Sequence, residues 1–205
     1  PAFAVPTYPL HHVGELPIYA LLGIIAAFVA IAFVQTLYQT EALFKRWPVP
    51  LPIRAATGMV LTAIISLSLP SHHVLDSGLD LVGTVIADNV NLPVRLLLIL
   101  LVAKLLATSL TLGSGNSGGV FAPSLFMGAL LGGAVGMAAN SIWPGVAINP
   151  GAYAIVGMAA VFAGAARGPI TAVLIVFEMS GDYKLILPLM MATVISTILA
   201  ESLMK

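Results

Sequence analysis

Long runs of apolar residues without a charge set the architecture of this chain. From Leu16 to Thr40 there are 25 uncharged residues, and a helix of that length spans about 37 Å, enough to cross the hydrocarbon core of a bilayer with some tilt. The run ends at Glu41, Lys45 and Arg46, and the Trp-Pro-Val-Pro sequence that follows is typical of a sharp helix stop at a membrane interface. The pattern therefore predicts a first membrane-spanning helix.

Glycine and proline divide the rest of the chain into further helices. The 62 residues from Leu105 to Ala166 carry no charge, which is too long for one membrane span and too short for three with ordinary loops. Breaks at membrane depth are tolerated only where the backbone is buried in protein or lines an aqueous cavity. The pattern predicts helices of unequal length at residues 53–69, about 93–112, about 120–139, about 151–165, 169–178 and 184–204, with a short amphipathic segment at 80–90.

The composition supports an all-α, polytopic membrane protein. Of the 205 residues, 8% are charged and 60% are apolar, whereas a soluble domain carries about 25% charged residues. The net charge is zero, so no basic stripe points to a nucleic-acid partner. There is no cysteine, which excludes disulfides, thiolate catalysis and Cys-ligated metals. The chain begins at Pro1 without a signal-peptide pattern, and we expect it to be an internal piece of a longer protein.

The few cations predict the orientation in the membrane. Lys45, Arg46 and Arg54 cluster in one short connection, which the positive-inside rule assigns to the cytoplasm. We expect Arg167 on the same side, and the polar loop between the second and third apolar segments on the other. Lys104 interrupts an apolar helix, so we expect it to snorkel or to line the protein interior.

The segment most informative about chemistry is LGSGNSGGVFAPSL, at residues 112–125. A Gly/Ser run there precedes an apolar helix that is predicted to begin near Val120, with Pro123 in or near its first turn. Glycine lets a ligand approach the backbone closely, and a helix start presents unpaired N–H groups and the positive end of the helix dipole. Together these features favour an anion site without a formal positive charge. A tight turn between packed membrane helices explains the composition equally well.

Two motifs in this order resemble the CLC chloride channels and transporters. GVFAP at 119–123, after the Gly/Ser run, is similar to the GxFxP signature of that family. GAARGPITAVLIVFEMSGDYKLILPLMM at 164–191 resembles its next landmark, and PAFAVP with ELPIYALLG resembles the linker and helix at mid-protein. The resemblance implies the second, C-terminal of two inverted halves, with broken and partly spanning helices. Residues 1–15 would be the linker, 16–112 the first helices, 113–123 the anion-binding loop and 120–204 the remaining helices, with no CBS domain.

The family pattern also implies roles for individual residues. The backbone amides of Val120 and Phe121 would bind chloride, Gly119 would allow its close approach, and Gly118 and Pro123 would support the pore. The resemblance implies a homodimer through helices at about 169–178 and 184–200, with chloride as transported ligand and no cofactor. The gating and proton-relay glutamates and the serine loop belong to the other half in this family. Whether the protein is a channel or a chloride/proton antiporter therefore stays open. A further alternative is a non-conducting structural half that needs the missing partner.

Several other patterns have a functional and a structural interpretation. GNSG at 115–118 matches a protease nucleophile motif at Ser117, but all four histidines precede it, in predicted loops. The two His-His pairs are a weak metal pattern, because adjacent side chains point apart. Gly128, Gly132 and Gly136 have the spacing of a close helix–helix contact.

Two charged residues complete the candidates. Glu178 could carry a proton, although its place beside Ser180-Gly181-Asp182 favours a cap or turn network. Arg167, before Gly168-Pro169, is expected to mark a helix boundary, with a role in attracting anions as the alternative.

Overall fold

The computed structural model describes residue 8 and residues 14–69, 78–87, 92–145 and 149–204. All the regular secondary structure in this part of the chain is helical, as predicted. A short 3-10 turn, Tyr183–Leu185, leads directly into the last helix. The helices are α1 Glu15–Arg46, α2 Leu51–Leu67, α3 Leu79–Ile86, α4 Val94–Gly113, α5 Phe121–Ile142, α6 Pro150–Ala166, α7 Pro169–Ser180 and α8 Ile186–Leu203.

The predicted inequality of helix length is confirmed. Within the described ranges, four helical segments are long and apolar enough to cross a membrane: Glu15–Arg46, Val94–Gly113, Phe121–Ile142 and Tyr183–Leu203. By contrast, α2 and α6 have 17 residues each and α7 has 12, so α7 rises only about 18 Å. The fold therefore combines helices that are long and apolar enough to span a bilayer with shorter apolar helices.

The first helix is longer than its apolar run. It continues past Thr40 to Arg46, where Glu41 and Lys45 form an exposed i,i+4 ion pair of 2.6 Å and the cations suit a helix C-terminus. The helix ends at Trp47 and the proline after it. Lys45 and Arg46 thus occupy the last turn of α1, and the helix stops where the Trp-Pro-Val-Pro sequence predicts.

The centre of the fold is the contact between α5 and α6, which is built on glycines as predicted. A Cβ at Gly132 would collide with the Tyr153 carbonyl oxygen, and one at Gly136 would lie 2.8 Å from Cα of Pro150. From the other side, a Cβ at Gly157 would meet the Gly128 carbonyl oxygen. The two backbones are therefore in direct contact, and α1, α4 and α8 pack around this pair.

Lys104 lies in the protein interior, the second of its two expected placements. Its residue is only 5% exposed, and its ammonium nitrogen lies 5.1 Å from the ring centroid of Phe126 on α5. The contact is a cation–π interaction between α4 and α5.

Candidate anion site

The site predicted from the Gly/Ser run is the N-terminal end of α5. Val120 caps this helix and Phe121 is its first residue. The first backbone bond of the helix runs from the Ser124 N–H to the Val120 carbonyl at 3.1 Å, and the Ser124 hydroxyl donates to the same oxygen at 2.6 Å. Pro123, at the third helical position, has no N–H. The N–H groups of Val120, Phe121 and Ala122 make no backbone hydrogen bond within the described part of the chain.

The loop before this helix has a defined shape, which the side chains of Asn116 and Ser114 maintain. Gly115 has φ +96°, a left-handed conformation that favours glycine. Asn116 donates from Nδ2 to the Ala55 carbonyl of α2 and to Oγ of Ser114, both at 3.0 Å. Its backbone N–H bonds the Thr111 carbonyl at 3.3 Å. The loop is thereby fixed to both α2 and α4, so the start of α5 is held in place.

Exposure changes sharply along this segment. Residues 117–121 are exposed, whereas 124–134 are all buried. A Cβ added at Gly119 would have no heavy atom within 4 Å, while one at Gly118 would touch Cδ2 of Leu112 at 3.0 Å. The N-terminal end of α5 is thus the open end of an otherwise buried helix, and Gly119 leaves its backbone accessible.

The ring of Phe121 is held against α6. It meets Phe162 edge to face, with 5.1 Å between the centroids and 89° between the planes, a favoured geometry for aromatic pairs. Phe121 is still 40% exposed. The contact fixes the direction of the side chain while the backbone at the helix start remains open.

This arrangement can bind a small anion through backbone groups alone. The helix start offers three N–H groups without a backbone acceptor among the described residues, together with the positive end of the helix dipole, equivalent to roughly half a positive charge. The sequence from residue 105 to residue 166 has no Lys or Arg, so neither the loop nor α5 itself contributes a formal positive charge. Dipoles bind an anion more loosely than a buried cation would, which suits release as well as binding.

The other sequence candidates are found elsewhere in the structure. Ser117 is exposed, and the four histidines considered as a base or as metal ligands fall outside the described residues. Arg167 ends α6 in a left-handed conformation, with φ 54°, so it marks a helix boundary as expected. Glu178 is exposed, and the turn network after α7 is made by Asp182, which accepts the Lys184 N–H at 3.0 Å.

Two residues that shape the site escaped the sequence analysis. Asn116 lies within the Gly/Ser run and the GNSG motif, neither of which indicates its structural role, although an amide side chain in such a loop can bond neighbouring backbone. Phe162 lies in a uniformly apolar stretch and carries no local signal, since its contact depends on how α5 and α6 cross.

Comparisons with known proteins identify the family of this chain. A family profile described as "Voltage gated chloride channel" matches residues 1–201. The chain is 33% identical over 193 residues to the H+/Cl− exchange transporter ClcA of Yersinia pestis bv. Antiqua, which covers 92% of this chain and 39% of that protein. It is 37% identical over 202 residues to the chloride channel protein CLC-f of Arabidopsis thaliana, covering 92% of this chain and 26% of that one.

Solved structures show the same fold. The crystal structure of a slow cyanobacterial Cl−/H+ antiporter superimposes with a TM-score of 0.78 at 25% identity, over 98% of this chain and 47% of that one. A CLC-type fluoride/proton antiporter superimposes with a TM-score of 0.81 over 98% of this chain and 48% of that one. At 18% identity, this second likeness concerns the fold alone.

The fold and these matches define a multi-pass integral membrane protein. The chain belongs to the voltage gated chloride channel family, the CLC channels and transporters. It spans 39% of the length of the bacterial exchanger and 26% of the plant channel.

Proposed function

We propose that this protein moves chloride across a membrane through a CLC-type pore, in which the backbone amides of Val120 and Phe121 bind the anion. The observation that carries the proposal is the exposed start of α5, with three N–H groups that have no backbone acceptor in the described ranges. The ion would exchange its hydration shell for these fixed dipoles. Gly119, which has open space around it, would let the ion come close, and Gly118 and Pro123 would support the loop and the first turn.

We further propose that the chain is the C-terminal of two inverted halves and contributes one wall of the pore. Residues 117–121 are exposed on the described chain, so an ion bound there would be enclosed only from one side. A second wall from the partner half would complete its coordination and exclude water. Channel and proton-coupled exchange are both consistent with this wall, and the open side favours the alternative that the chain alone binds chloride without conducting it.

The same family pattern leads us to propose a homodimer through α7 and α8. Ile170 and Leu174 on α7, and Leu187 and Ile198 on α8, are between 56% and 76% exposed. Together they make an apolar face on two neighbouring helices, with a groove of about 170 Å³ between them. Packing of the same face from a second copy would fill that groove, as in a two-fold symmetric interface.

Ion flux from vesicles tests the proposed transport. Vesicles that contain the protein together with its partner half should release chloride in a potassium gradient when valinomycin balances the charge. This chain alone should bind chloride in calorimetry and release none from vesicles. Protein-dependent cation flux in vesicles without valinomycin, or no halide flux from the complete protein, would overturn the transport proposal.

A further inference from the structure

A groove opens between the C-terminal end of α1 and the first turns of α2, far along the chain from the anion site. Its volume is about 440 Å³, and it is lined by Leu43, Phe44, Arg46, Trp47, Thr57 and Leu61. It exists because α1 and α2 each pack against α4, which leaves the seam between them unfilled next to their connection. Its floor is apolar, and its rim carries one guanidinium and one indole.

Arg46 is the cation of this region that is available to a ligand. Lys45 is paired with Glu41 at 2.6 Å. Arg54 donates from Nε to the Val49 carbonyl at 3.0 Å and from Nη1 to the Phe44 carbonyl at 3.4 Å, which fixes the turn between the helices. The Arg46 side chain is exposed and has no ion pair among the residues that the structure describes. Three cations against one carboxylate leave the region positive.

The depth of the groove in the membrane follows from the length of α1. Its 32 residues rise about 48 Å, whereas the hydrocarbon core is about 30 Å thick. The charged end at residues 41–46 therefore reaches the headgroup region. Trp47, which is 44% exposed, has the interfacial position that tryptophan prefers. Leu43 and Leu61 are also exposed and extend the apolar floor toward the hydrocarbon.

We propose that this groove binds an acidic phospholipid of the bilayer. The lipid phosphate pairs with the Arg46 guanidinium, whose planar donors match phosphate geometry, and an acyl chain lies against Leu43 and Leu61. Charge complementarity selects an acidic headgroup, because the choline of a zwitterionic lipid would bring a second positive charge to an already positive rim. The positive-inside rule assigns this connection to the cytoplasmic leaflet, where acidic lipids attract basic segments next to the membrane.

Quenching of tryptophan fluorescence tests lipid binding in the groove directly. The chain has two tryptophans, so W143F leaves Trp47 as the only reporter, on the rim of the groove. The protein is reconstituted with phosphatidylglycerol or phosphatidylcholine whose acyl chains carry bromine, which quenches nearby indoles. Quenching of Trp47 fluorescence should show about a fivefold preference for phosphatidylglycerol over phosphatidylcholine, which is the effect of one cation near an anionic surface. R46Q should reduce the preference to nearly one, and R46K should keep most of it.

A matched reporter separates this site from the general lipid environment. W47F leaves Trp143, at the C-terminal cap of α5, and its quenching should be the same with and without R46Q. Equal quenching of Trp47 by both lipids, or an unchanged preference in R46Q, would overturn the proposal. Protection of Trp47 from both lipids would also overturn it, because the groove would then be covered by protein.

Discussion

Tyr8 and Asp182 are joined by a hydrogen bond although 174 positions separate them: the Tyr8 backbone N–H donates to Oδ2 of Asp182 at 2.8 Å. Oδ1 of the same carboxylate accepts the Lys184 N–H at 3.0 Å. Asp182 is buried, and its bond to Tyr8 is buried while its bond to Lys184 is partly buried. The turn between α7 and α8 therefore holds the segment that precedes α1.

We expect D182A to destabilise the protein by about 3 kcal/mol, because two backbone donors lose a charged acceptor in a buried place. The free energy of unfolding, measured by titration with a denaturing detergent, checks this. E178Q is the control, since Glu178 lies in the same region but is exposed, and its effect should stay within about 0.5 kcal/mol. Equal effects of the two variants would contradict the role given to Asp182.

The glycine contact between α5 and α6 predicts a second pair of variants. G132A should destabilise by about 1–3 kcal/mol, because its methyl group would press on the Tyr153 carbonyl and on Cα of Ala154 at 2.8 Å. G145A should be nearly neutral, since a Cβ there meets no heavy atom within 4 Å. Thermal unfolding followed by size-exclusion chromatography compares them. A neutral G132A would show that the two helices can separate without cost.

The tether at Asn116 predicts an effect on binding that leaves the helices intact. N116A removes the bonds to Ala55 and Ser114, so the loop should become mobile and chloride affinity should fall about three- to tenfold, the equivalent of one hydrogen bond. S117A is the matched control, and it should leave binding unchanged. It also tests the hydrolase alternative, because loss of a peptidase activity in S117A would reveal a nucleophile.

The absence of cysteine from the chain makes cross-linking a clean test of the proposed dimer. A single cysteine at L174C, on the exposed face of α7, should give a covalent dimer with a short bis-maleimide in membranes. L98C places the thiol on α4, where Leu98 is also exposed, and it should stay monomeric. If both positions cross-link equally, the α7–α8 face is not a specific interface.

The sequence predicted the helices well because uncharged runs and prolines carry local signals. Pro93 precedes α4, and Pro150 and Pro169 occupy the first positions of α6 and α7, where a missing N–H does no harm. The end of α1 at Trp47 likewise agrees with the stop that the Trp-Pro-Val-Pro sequence predicts. The helices and the breaks between them could thus be predicted from the sequence without tertiary information.

The site was only partly predictable from the sequence. The helix start at Val120 and Phe121 follows from the glycine run and the GVFAP motif. The tether from Asn116 to Ala55 and the ring contact between Phe121 and Phe162 depend on how distant helices pack. The bond between Tyr8 and Asp182 likewise joins two residues that are 174 positions apart in the chain, and no local pattern indicates it.

Chloride affinity in V120P, compared with V120A, tests the central claim most directly. Proline removes the Val120 N–H. The φ of Val120 is −90°, about 25° from the value near −65° that proline prefers, and the preceding glycine limits the clash that proline makes with the residue before it. V120A keeps the donor and changes only the side chain. In calorimetry on the complete protein we expect V120P to lose at least tenfold in chloride affinity, the effect of one lost N–H donor to an anion, and V120A to bind nearly as the native chain does. Equal chloride binding by V120P and V120A would contradict an anion site made of backbone amides at the start of α5.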